Sequence, residues 1–302
     1  MWTQRSLVTP PATNAAAATW DSSRQVLVFF GGRSPAGTAI NTTWELSAVG
    51  WAQRTPPTLP AARYGHDLAY DPVRQRVILF GGFQSSSLPR LGDTWEWNGT
   101  NWTQVSPSVS PAPRSGHRMT WDPVRQHVVL FGGRSDSAGG AIYFADTWAY
   151  VSGAWTQLAS VGPSAREGGS VAWDPGLSGG RVVAFGGLGS AGARNDTWAW
   201  DGTSWTVVAT GTAPTARVFF DVAFHPGLGK LVLFGGATGG GAGATLNAET
   251  WVFDRTTWTL LGSASGPSPR SGVVVEWDPL RQKLMQFGGW NGTTSFDEHW
   301  EL

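Results

Sequence analysis

The chain has 302 residues, of which 41% are hydrophobic and 12% aromatic; this is enough apolar surface for a folded core and argues against intrinsic disorder. Its 21 basic and 21 acidic residues cancel, so no overall field draws the chain to nucleic acid or to an anionic membrane. The absence of cysteine excludes disulfides, thiolate metal sites and a cysteine nucleophile.

The composition leaves the cellular compartment open. No run reaches the roughly 18 apolar residues of a membrane span, and the first residues lack the apolar core of a signal peptide. A domain cut from a secreted bacterial protein, with its signal peptide outside this sequence, is the favoured origin. The 41 glycines and 19 tryptophans favour many short strands joined by tight turns.

A repeat decides the fold class. A hydrophobic run ending in Gly-Gly occurs six times, at residues 31–32, 81–82, 132–133, 186–187, 235–236 and 288–289. After each pair comes a tryptophan, usually introduced by Asp-Thr: Trp44, Trp95, Trp148, Trp198, Trp251 and Trp300. A second tryptophan follows seven residues later in five units, at Trp51, Trp102, Trp155, Trp205 and Trp258. Because Trp2-Thr3-Gln4 matches Trp102-Thr103-Gln104, the N-terminus is expected to supply the sixth copy.

Each unit reads as four strands, which in the second unit are predicted at residues 64–70, 76–81, 93–97 and 102–105. The run 77–80 is continuously apolar, as in a strand covered on both faces. Asn98-Gly99 and Asp201-Gly202 predict tight hairpin turns, and Asp71-Pro72 marks the turn before the apolar strand.

A repeat near 50 residues with Gly-Gly after an apolar strand and a spaced tryptophan resembles the Kelch family over the whole chain. The resemblance implies a single all-β domain over residues 1–302, a six-bladed propeller of four-stranded antiparallel blades. The expected blades cover about 14–54, 64–105, 115–158, 167–209, 218–261, and 271–302 plus 1–5. The N-terminal strand would complete the last blade and so close the ring, which removes an exposed edge.

An arginine stands eight residues before the Asp-Pro turn position in five units, where the first unit has Thr13: Arg63, Arg114, Arg166, Arg217 and Arg270. In the family topology these positions begin the innermost strands, so the guanidinium groups would converge near one mouth of the channel and favour an anionic ligand. The alternative is structural: each arginine bonds the carbonyls of the neighbouring Gly-rich loop. Repetition in five blades favours this alternative.

The loops after the Gly-Gly strands share a face that commonly binds partners in Kelch propellers. They are residues 33–40, 83–91, 134–144, 188–194, 237–246 and 290–295, and they vary while the framework does not, as expected of a rigid scaffold with a variable binding surface. Phe83, Arg134 and Trp290 are candidate contacts there, although the aromatic rings could instead fold back onto the blades.

His66 and His117 occupy equivalent places three residues after the repeated arginine, and they are further candidate ligand contacts. A metal site normally needs three or four convergent ligands, so neither a metal nor a cofactor is predicted.

The family also contains enzymes. Kelch-like copper-radical oxidases need a tyrosine crosslinked to cysteine, which this chain lacks. Sialic-acid mutarotases are six-bladed Kelch proteins with charged residues at the channel mouth. The candidates for such residues here are Arg166, Glu167 and Arg217, which match in residue type but share no sequence motif with those enzymes.

The leading interpretation is a monomeric, non-enzymatic recognition scaffold that binds a protein or glycan on the Gly-Gly-loop face. An enzyme of the mutarotase type acting on an anionic sugar is one alternative. An engineered or stability-selected scaffold without a ligand is another, although the divergence between units argues against a designed symmetric repeat.

Overall fold

The structure is a computed structural model that describes residues 1–159, 161–208, 210–239, 243–262 and 266–302, and within these ranges it is all-β with no helix. Residue 209, at the end of the predicted fourth blade, and residues 240–242, in the predicted loop 237–246, lie outside the described residues.

The first fifteen strands are β1 (Thr3–Arg5), β2 (Ala17–Asp21), β3 (Val26–Phe30), β4 (Thr43–Ser47), β5 (Gly50–Arg54), β6 (Asp67–Asp71), β7 (Arg76–Phe80), β8 (Thr94–Trp97), β9 (Trp102–Val105), β10 (Arg118–Asp122), β11 (His127–Phe131), β12 (Arg134–Ser137), β13 (Gly140–Tyr143), β14 (Thr147–Val151) and β15 (Ala154–Ala159). The others are β16 (Ser170–Asp174), β17 (Arg181–Gly189), β18 (Gly192–Trp200), β19 (Trp205–Val208), β20 (Arg217–Val218), β21 (Asp221–His225), β22 (Lys230–Phe234), β23 (Ala237–Thr238), β24 (Thr245–Leu246), β25 (Thr250–Phe253), β26 (Trp258–Gly262), β27 (Val274–Asp278), β28 (Lys283–Phe287) and β29 (His299–Glu301).

Six four-stranded antiparallel sheets account for most strands of the described residues. In order from the first strand outwards they are sheet 1 (β2-β3-β4-β5), sheet 2 (β6-β7-β8-β9), sheet 3 (β10-β11-β14-β15), sheet 4 (β16-β17-β18-β19), sheet 5 (β21-β22-β25-β26) and sheet 6 (β27-β28-β29-β1). The outer strand of sheet 6 is therefore the first strand of the chain, with Thr3 opposite Glu301 and Arg5 opposite His299.

The core lies between the sheets. The second strand of each sheet is the apolar run that the sequence predicts; β3 and β11 are buried at every residue because a neighbouring sheet covers each face. Each hydrophobic cluster joins two consecutive sheets, and one of them joins sheet 6 to sheet 1 through Phe287 and Phe29, whose ring centroids are 5.3 Å apart.

The first strands of the six sheets touch in sequence. β2 contacts β6, and the contacts continue through β10, β16, β21 and β27, which in turn contacts β2. A cavity of about 390 Å³ lies between these six strands.

The second tryptophan of each unit fastens its sheet to the preceding one; in the first unit Trp51 donates to His299 Nδ1 at 3.4 Å, and in the other five units the acceptor is a threonine. In these five units the indole Nε1 donates to the hydroxyl of the threonine that precedes the first tryptophan of the preceding sheet, as in Trp102 to Thr43 at 2.9 Å. Trp155, Trp205 and Trp258 repeat this bond with Thr94, Thr147 and Thr197. Trp2 donates to Thr250 in the same way, at 2.8 Å, and so bonds the N-terminal segment to sheet 5.

The turns follow the predicted chemistry. Gly99 and Gly202 have φ of 96° and 94°, and the Asp71 carboxylate accepts hydrogen bonds from the backbone of Val73 and Arg74. The Gly-Gly pairs need glycine because the backbone of a neighbouring segment lies too close for a side chain. A Cβ on Gly81 would lie 2.5 Å from the carbonyl oxygen of Arg114.

Two details differ from the sequence prediction. The first strand of sheet 2 begins at Asp67 instead of residue 64, because Gly65 has φ of 63° and breaks the extended conformation. Loops 134–144 and 188–194 are also more regular than predicted. β12 and β13 form a hairpin in the first, and β17 and β18 run on to Gly189 and Gly192 in the second.

Candidate functional site

A second cavity, of about 330 Å³, opens on the face of the Gly-Gly loops, and we call it the mouth cavity. The predicted residues that line it are His66, Phe83, His117, Arg134, Glu167 and Trp290. Residues that the sequence did not single out and that also line it are Asn14, Arg33, Tyr64, Arg90, Arg118 and Phe219.

A closed cycle of backbone hydrogen bonds forms the floor of the mouth cavity. Ala15, Gly65, Gly116, Gly168, Phe219 and Gly272 each donate from N–H to the carbonyl of the preceding member, and Ala15 donates to Gly272 at 2.9 Å. All six have positive φ, between 52° and 65°. Each sheet contributes one peptide group, so this collar holds the six sheets in register around the cavity.

Phe219 is the unusual member of the collar. Four of the six positions carry glycine, which adopts positive φ without strain, whereas Phe219 has φ of 56° and keeps its ring 38% exposed in the cavity. A Cβ on Gly168 would lie 2.7 Å from this ring, so the phenyl group covers the neighbouring glycine. A bulky residue held in a strained conformation at a cavity is a mark of a functional position.

The strain at Phe219 can be measured with two substitutions that both remove the ring. We expect Phe219→Gly to be more stable to urea than Phe219→Ala by about 1 kcal/mol, because only glycine adopts this conformation freely. Ala52, exposed in β5 and without positive φ, is the control: Ala52→Gly should destabilise the protein by roughly 0.5–1 kcal/mol. Equal stability of the two Phe219 variants would contradict the strain.

The five repeated arginines lie inside their own sheets, and none is among the described residues that line the mouth cavity. Arg114 is representative: Nε donates to Ala112 O at 2.9 Å and Nη1 to Gly132 O at 2.8 Å, and the two Nη atoms hold the Asp146 carboxylate at 2.6 and 2.9 Å. The corresponding acids are Asp93 for Arg63, Asp196 for Arg166, Glu249 for Arg217 and Glu298 for Arg270. The guanidinium groups thus bond to the framework, and their contact with a ligand stays a prediction.

The acid partners are the residues that precede Thr-Trp or its equivalent in every unit after the first, so one motif supplies both the anion and the tryptophan. Burial acts to raise the pKa of Asp93, but the hydrogen bonds and charge of Arg63 hold it below its ordinary value. The Trp95 indole also donates to Asp93, at 2.6 Å. Each acid is therefore a partly buried junction between the arginine, the Gly-Gly strand and the next strand.

Charged side chains form one side of the mouth cavity. Arg90 and Arg134 both pair with Asp136 at 2.8 Å, and Arg134 lies 3.4 Å from the Glu167 carboxylate. Burial raises the pKa of Glu167, against the charges of Arg134 and Arg90. Of the three residues in the mutarotase-type prediction, Glu167 lines the cavity, whereas Arg166 and Arg217 lie behind it.

Aromatic rings form the rest of the wall. Tyr64 and Phe83 have ring centroids 4.0 Å apart, and the Arg90 guanidinium lies 3.8 Å above the Phe83 ring. Trp290 is 38% exposed, so a large apolar surface is open to solvent beside the charged group. Exposed aromatic and arginine side chains together are the composition of binding hot spots.

The two predicted histidines are buried side chains in the lining of the mouth cavity, and they are neutral. Burial and the charge of Arg63 lower the pKa of His66 to about 3, and its Nε2 lies 3.1 Å from the Phe30 carbonyl oxygen. Burial and Arg114 lower the pKa of His117 well below its ordinary value. In the described part of the chain no group of three His, Asp or Glu side chains is placed to hold a metal ion.

No family model matches the chain. It is 28% identical to an F-box/kelch-repeat protein of Arabidopsis thaliana over 224 residues, which are 65% of this chain and 43% of that protein. It is 26% identical to the Adagio-like protein 3 of Oryza sativa subsp. japonica over 236 residues, 72% of this chain and 36% of the relative. A shorter match, 33% identity over 121 residues, links it to the Adagio protein 3 of Arabidopsis thaliana, covering 37% of this chain and 19% of that protein.

The chain is similar to Kelch-repeat proteins. The family resemblance predicted from the Gly-Gly and tryptophan repeat is thereby confirmed. The chain spans less than half the length of each of these relatives. The relatives are plant proteins, so they lend no support to the expected bacterial origin. Within the described ranges no helix is long and apolar enough to cross a membrane.

Proposed function

We propose that the chain is a six-bladed Kelch propeller, closed by its N-terminal strand, that acts as a protein-interaction scaffold and docks its partner over the mouth cavity. The observation that carries the proposal is the mouth cavity itself, where exposed aromatic rings and arginines surround a rigid floor.

Several independent cycles support the closed ring. The first strands touch in sequence from β2 to β27 and back to β2, the collar hydrogen bonds return from Gly272 to Ala15, and the tryptophan bonds continue through Trp2. Each cycle passes through sheet 6, whose outer strand is β1. A ring without free edges gives the loops a rigid base.

The wall of the mouth cavity supports protein recognition. Trp290 and Phe219 expose apolar surface next to Arg33 and Arg134, and hot spots combine such aromatic and arginine side chains. Four of the variable loops, 33–40, 83–91, 134–144 and 290–295, contribute residues to this cavity. The repeated arginines instead bond to the framework. Binding specificity is therefore expected to lie in the loops.

The experiment is comparative affinity capture from cell extract, followed by binding measurements with each purified partner. A loop-face variant carries Phe83→Ala, Arg134→Ala and Trp290→Ala. We expect it to bind the partner at least about 10-fold more weakly than the wild-type chain, because truncated hot-spot residues each cost about 1–2 kcal/mol or more.

A matched variant on the Asp-Pro-turn side carries Arg76→Ala, Leu228→Ala and Val124→Ala, the last two removing exposed apolar side chains. It should bind like the wild-type chain, with both variants melting near the wild-type temperature. Partners that bind the loop-face variant as tightly as the wild type would overturn the docking site. A glycan array probed with the same proteins tests the glycan alternative: binding to sugars alone, lost in the loop-face variant, would replace the protein partner by a glycan.

A further inference from the structure

The cavity between the first strands has an aromatic wall on its Asp-Pro-turn side. Each first strand contributes one aromatic residue, immediately before the aspartate or histidine of the turn: Trp20, Tyr70, Trp121, Trp173, Phe224 and Trp277. Five of these six residues are half-buried. Each packs against one of the hydrophobic clusters between the sheets and also lines the cavity. The sixth, Tyr70, is 6% exposed, and its Oη is buried without a hydrogen-bond partner among the described residues.

Deeper in the same cavity the lining becomes acidic. Asp67, Asp221 and Glu276 line it together with the single cation Arg118 of the described lining. The Arg118 guanidinium bonds to backbone carbonyls: its Nε donates to Gly169 O at 2.8 Å and its Nη2 to Phe220 O at 3.2 Å. The cavity therefore has a formal excess of two negative charges when all three carboxyl groups are ionised.

Glu276 differs from the two aspartates in having no hydrogen-bond donor from another sheet; the backbone N–H of Trp277, the next residue of its own strand, is the group that hydrogen-bonds to it. Asp67 accepts hydrogen bonds from the backbone of Leu68 and Met119, and Asp221 accepts bonds from Ser170, Val222 and Val275. By contrast, no side chain in the described ranges donates to the Glu276 carboxylate or lies at ion-pair distance from it. A carboxylate without an ion-pair partner, in a cavity walled by aromatic side chains, is suited to neutralise a cationic ligand.

We propose that this cavity binds a small organic cation with a methylated ammonium group, which the aromatic side chains surround and Glu276 neutralises. Aromatic faces attract such cations through their quadrupole, most strongly when water is excluded. A metal ion fits poorly, because the carboxylate oxygens of Asp67 and Asp221 already accept hydrogen bonds. In the described part of the chain, no three His, Asp or Glu side chains are placed to hold a metal ion together. The volume, about 390 Å³, is within the range of ligand pockets.

The pKa values of the carboxyl groups in the cavity agree with this assignment. Burial raises the pKa of Glu276 to about 8, with the charges of Asp221 and Asp67 acting in the same direction. Burial also raises the pKa of Asp67 to about 7, against the charge of Arg118. From the other elements packed there, β28 places Met285 opposite Glu276, and β2 and β16 add no titratable side chain to the lining.

A bound cation favours the ionised carboxylates, so binding is expected to release protons. Affinity should therefore rise with pH, by about 10-fold or more between pH 6 and pH 8.5, until Glu276 is ionised without ligand. Folding stability depends on pH in the opposite direction to cation affinity. Because the folded protein has a raised pKa at Glu276, its free energy of unfolding decreases as the pH rises towards 8, and Glu276→Gln should remove part of that decrease.

The test is calorimetric titration at pH 8.5 with tetramethylammonium chloride and choline chloride, compared with 3,3-dimethyl-1-butanol, the uncharged isostere of choline. We expect both cations to bind and to raise the melting temperature, and the neutral alcohol to bind at least 10-fold more weakly. Equal binding of choline and the alcohol would overturn the proposal, because the cavity would then be merely apolar. Failure of both cations to bind would overturn it as well.

Two variants locate the site. Glu276→Gln keeps the shape of the side chain and should weaken choline binding at least 10-fold, and Trp121→Leu should weaken it while retaining apolar volume. The control Asp297→Asn makes the same charge change at an exposed residue next to Phe296, at the opposite mouth, and should bind choline like the wild type. Unchanged affinity in Glu276→Gln would place the cation elsewhere and overturn the site.

The source of the cation is distinguished by a peptide that carries trimethyllysine and the same peptide with unmodified lysine. Binding of the trimethylated peptide that is tighter than that of choline and of the unmodified peptide indicates a partner's side chain, whereas binding of choline at least as tight as that of the trimethylated peptide indicates a free small molecule. Because this cavity lies on the Asp-Pro-turn side, these results are independent of whether the loop-face variant loses its protein partner.

Discussion

Replacing Trp2 by alanine is expected to lower the free energy of unfolding by about 3–5 kcal/mol, the usual cost of emptying a buried tryptophan site. Trp2 is 7% exposed, its ring lies 5.3 Å from Phe234, and its Nε1 donates to Thr250. Deletion of residues 1–5 should cost more, since it also removes β1 and leaves β29 as a free edge.

The measurement is urea unfolding of Trp2→Ala, of the deletion variant and of a control with Thr3→Ala and Gln4→Ala. Thr3 and Gln4 belong to the same strand but are exposed, so their truncation should change stability by no more than about 0.5 kcal/mol each. A deletion variant with wild-type stability would refute closure of the ring by the N-terminal strand. Loss of stability in the control as large as in Trp2→Ala would show that the strand, and not the tryptophan, carries the effect.

The framework could be predicted because each of its features repeats. The apolar second strands, the Gly-Gly pairs and the spaced tryptophans recur at nearly constant intervals, and the structure gives each of them the same place in a four-stranded sheet. Trp2 was recognisable for the same reason, since Trp2-Thr3-Gln4 copies an internal unit. Periodicity identifies the residues that the fold needs in every unit.

The candidate site was harder to predict because it depends on departures from the repeat. Phe219 stands where four of the other five units have glycine, and its exposure in the mouth cavity follows from a backbone conformation that the residue type alone does not indicate. Arg90 lines the cavity from loop 83–91, whose length and sequence differ from those of the corresponding loops in the other units. A comparison of aligned units would have found Phe219, whereas the position of Arg90 required the folded loop.

Two repeated signals were present in the sequence and were overlooked. An acid lies two residues before the first tryptophan of each later unit, and in the structure it pairs with the repeated arginine. An aromatic residue also precedes every Asp-Pro turn position, and these residues wall the cavity between the first strands. Spacing showed that both features exist, but only the fold brings residues about 30 positions apart, such as Arg114 and Asp146, into contact.

The second large effect is expected at this ion pair. Arg114→Met should lower the free energy of unfolding by about 3–5 kcal/mol, because removal of one partner of a buried pair leaves the other charge uncompensated. The Arg114 side chain is fully buried, and its loss also frees the carbonyls of Ala112 and Gly132. Methionine keeps the apolar part of the side chain, so the lost stability measures the hydrogen bonds and the ion pair of the Arg114 guanidinium.

The matched control is Arg54→Met, which removes an ion pair with Glu45 from a side chain that is 46% exposed. Because Arg24 still pairs with Glu45 and solvent screens the exposed group, this change should cost less than about 1 kcal/mol. The double variant Arg114→Met with Asp146→Asn completes the comparison. If the arginine stabilises the sheet through the aspartate, the double variant will lose less stability than the sum of the single changes, by about 1–3 kcal/mol. Additive losses would mean that Arg114 acts through the two backbone carbonyls alone, and a small loss in Arg114→Met would leave the guanidinium free to serve a ligand.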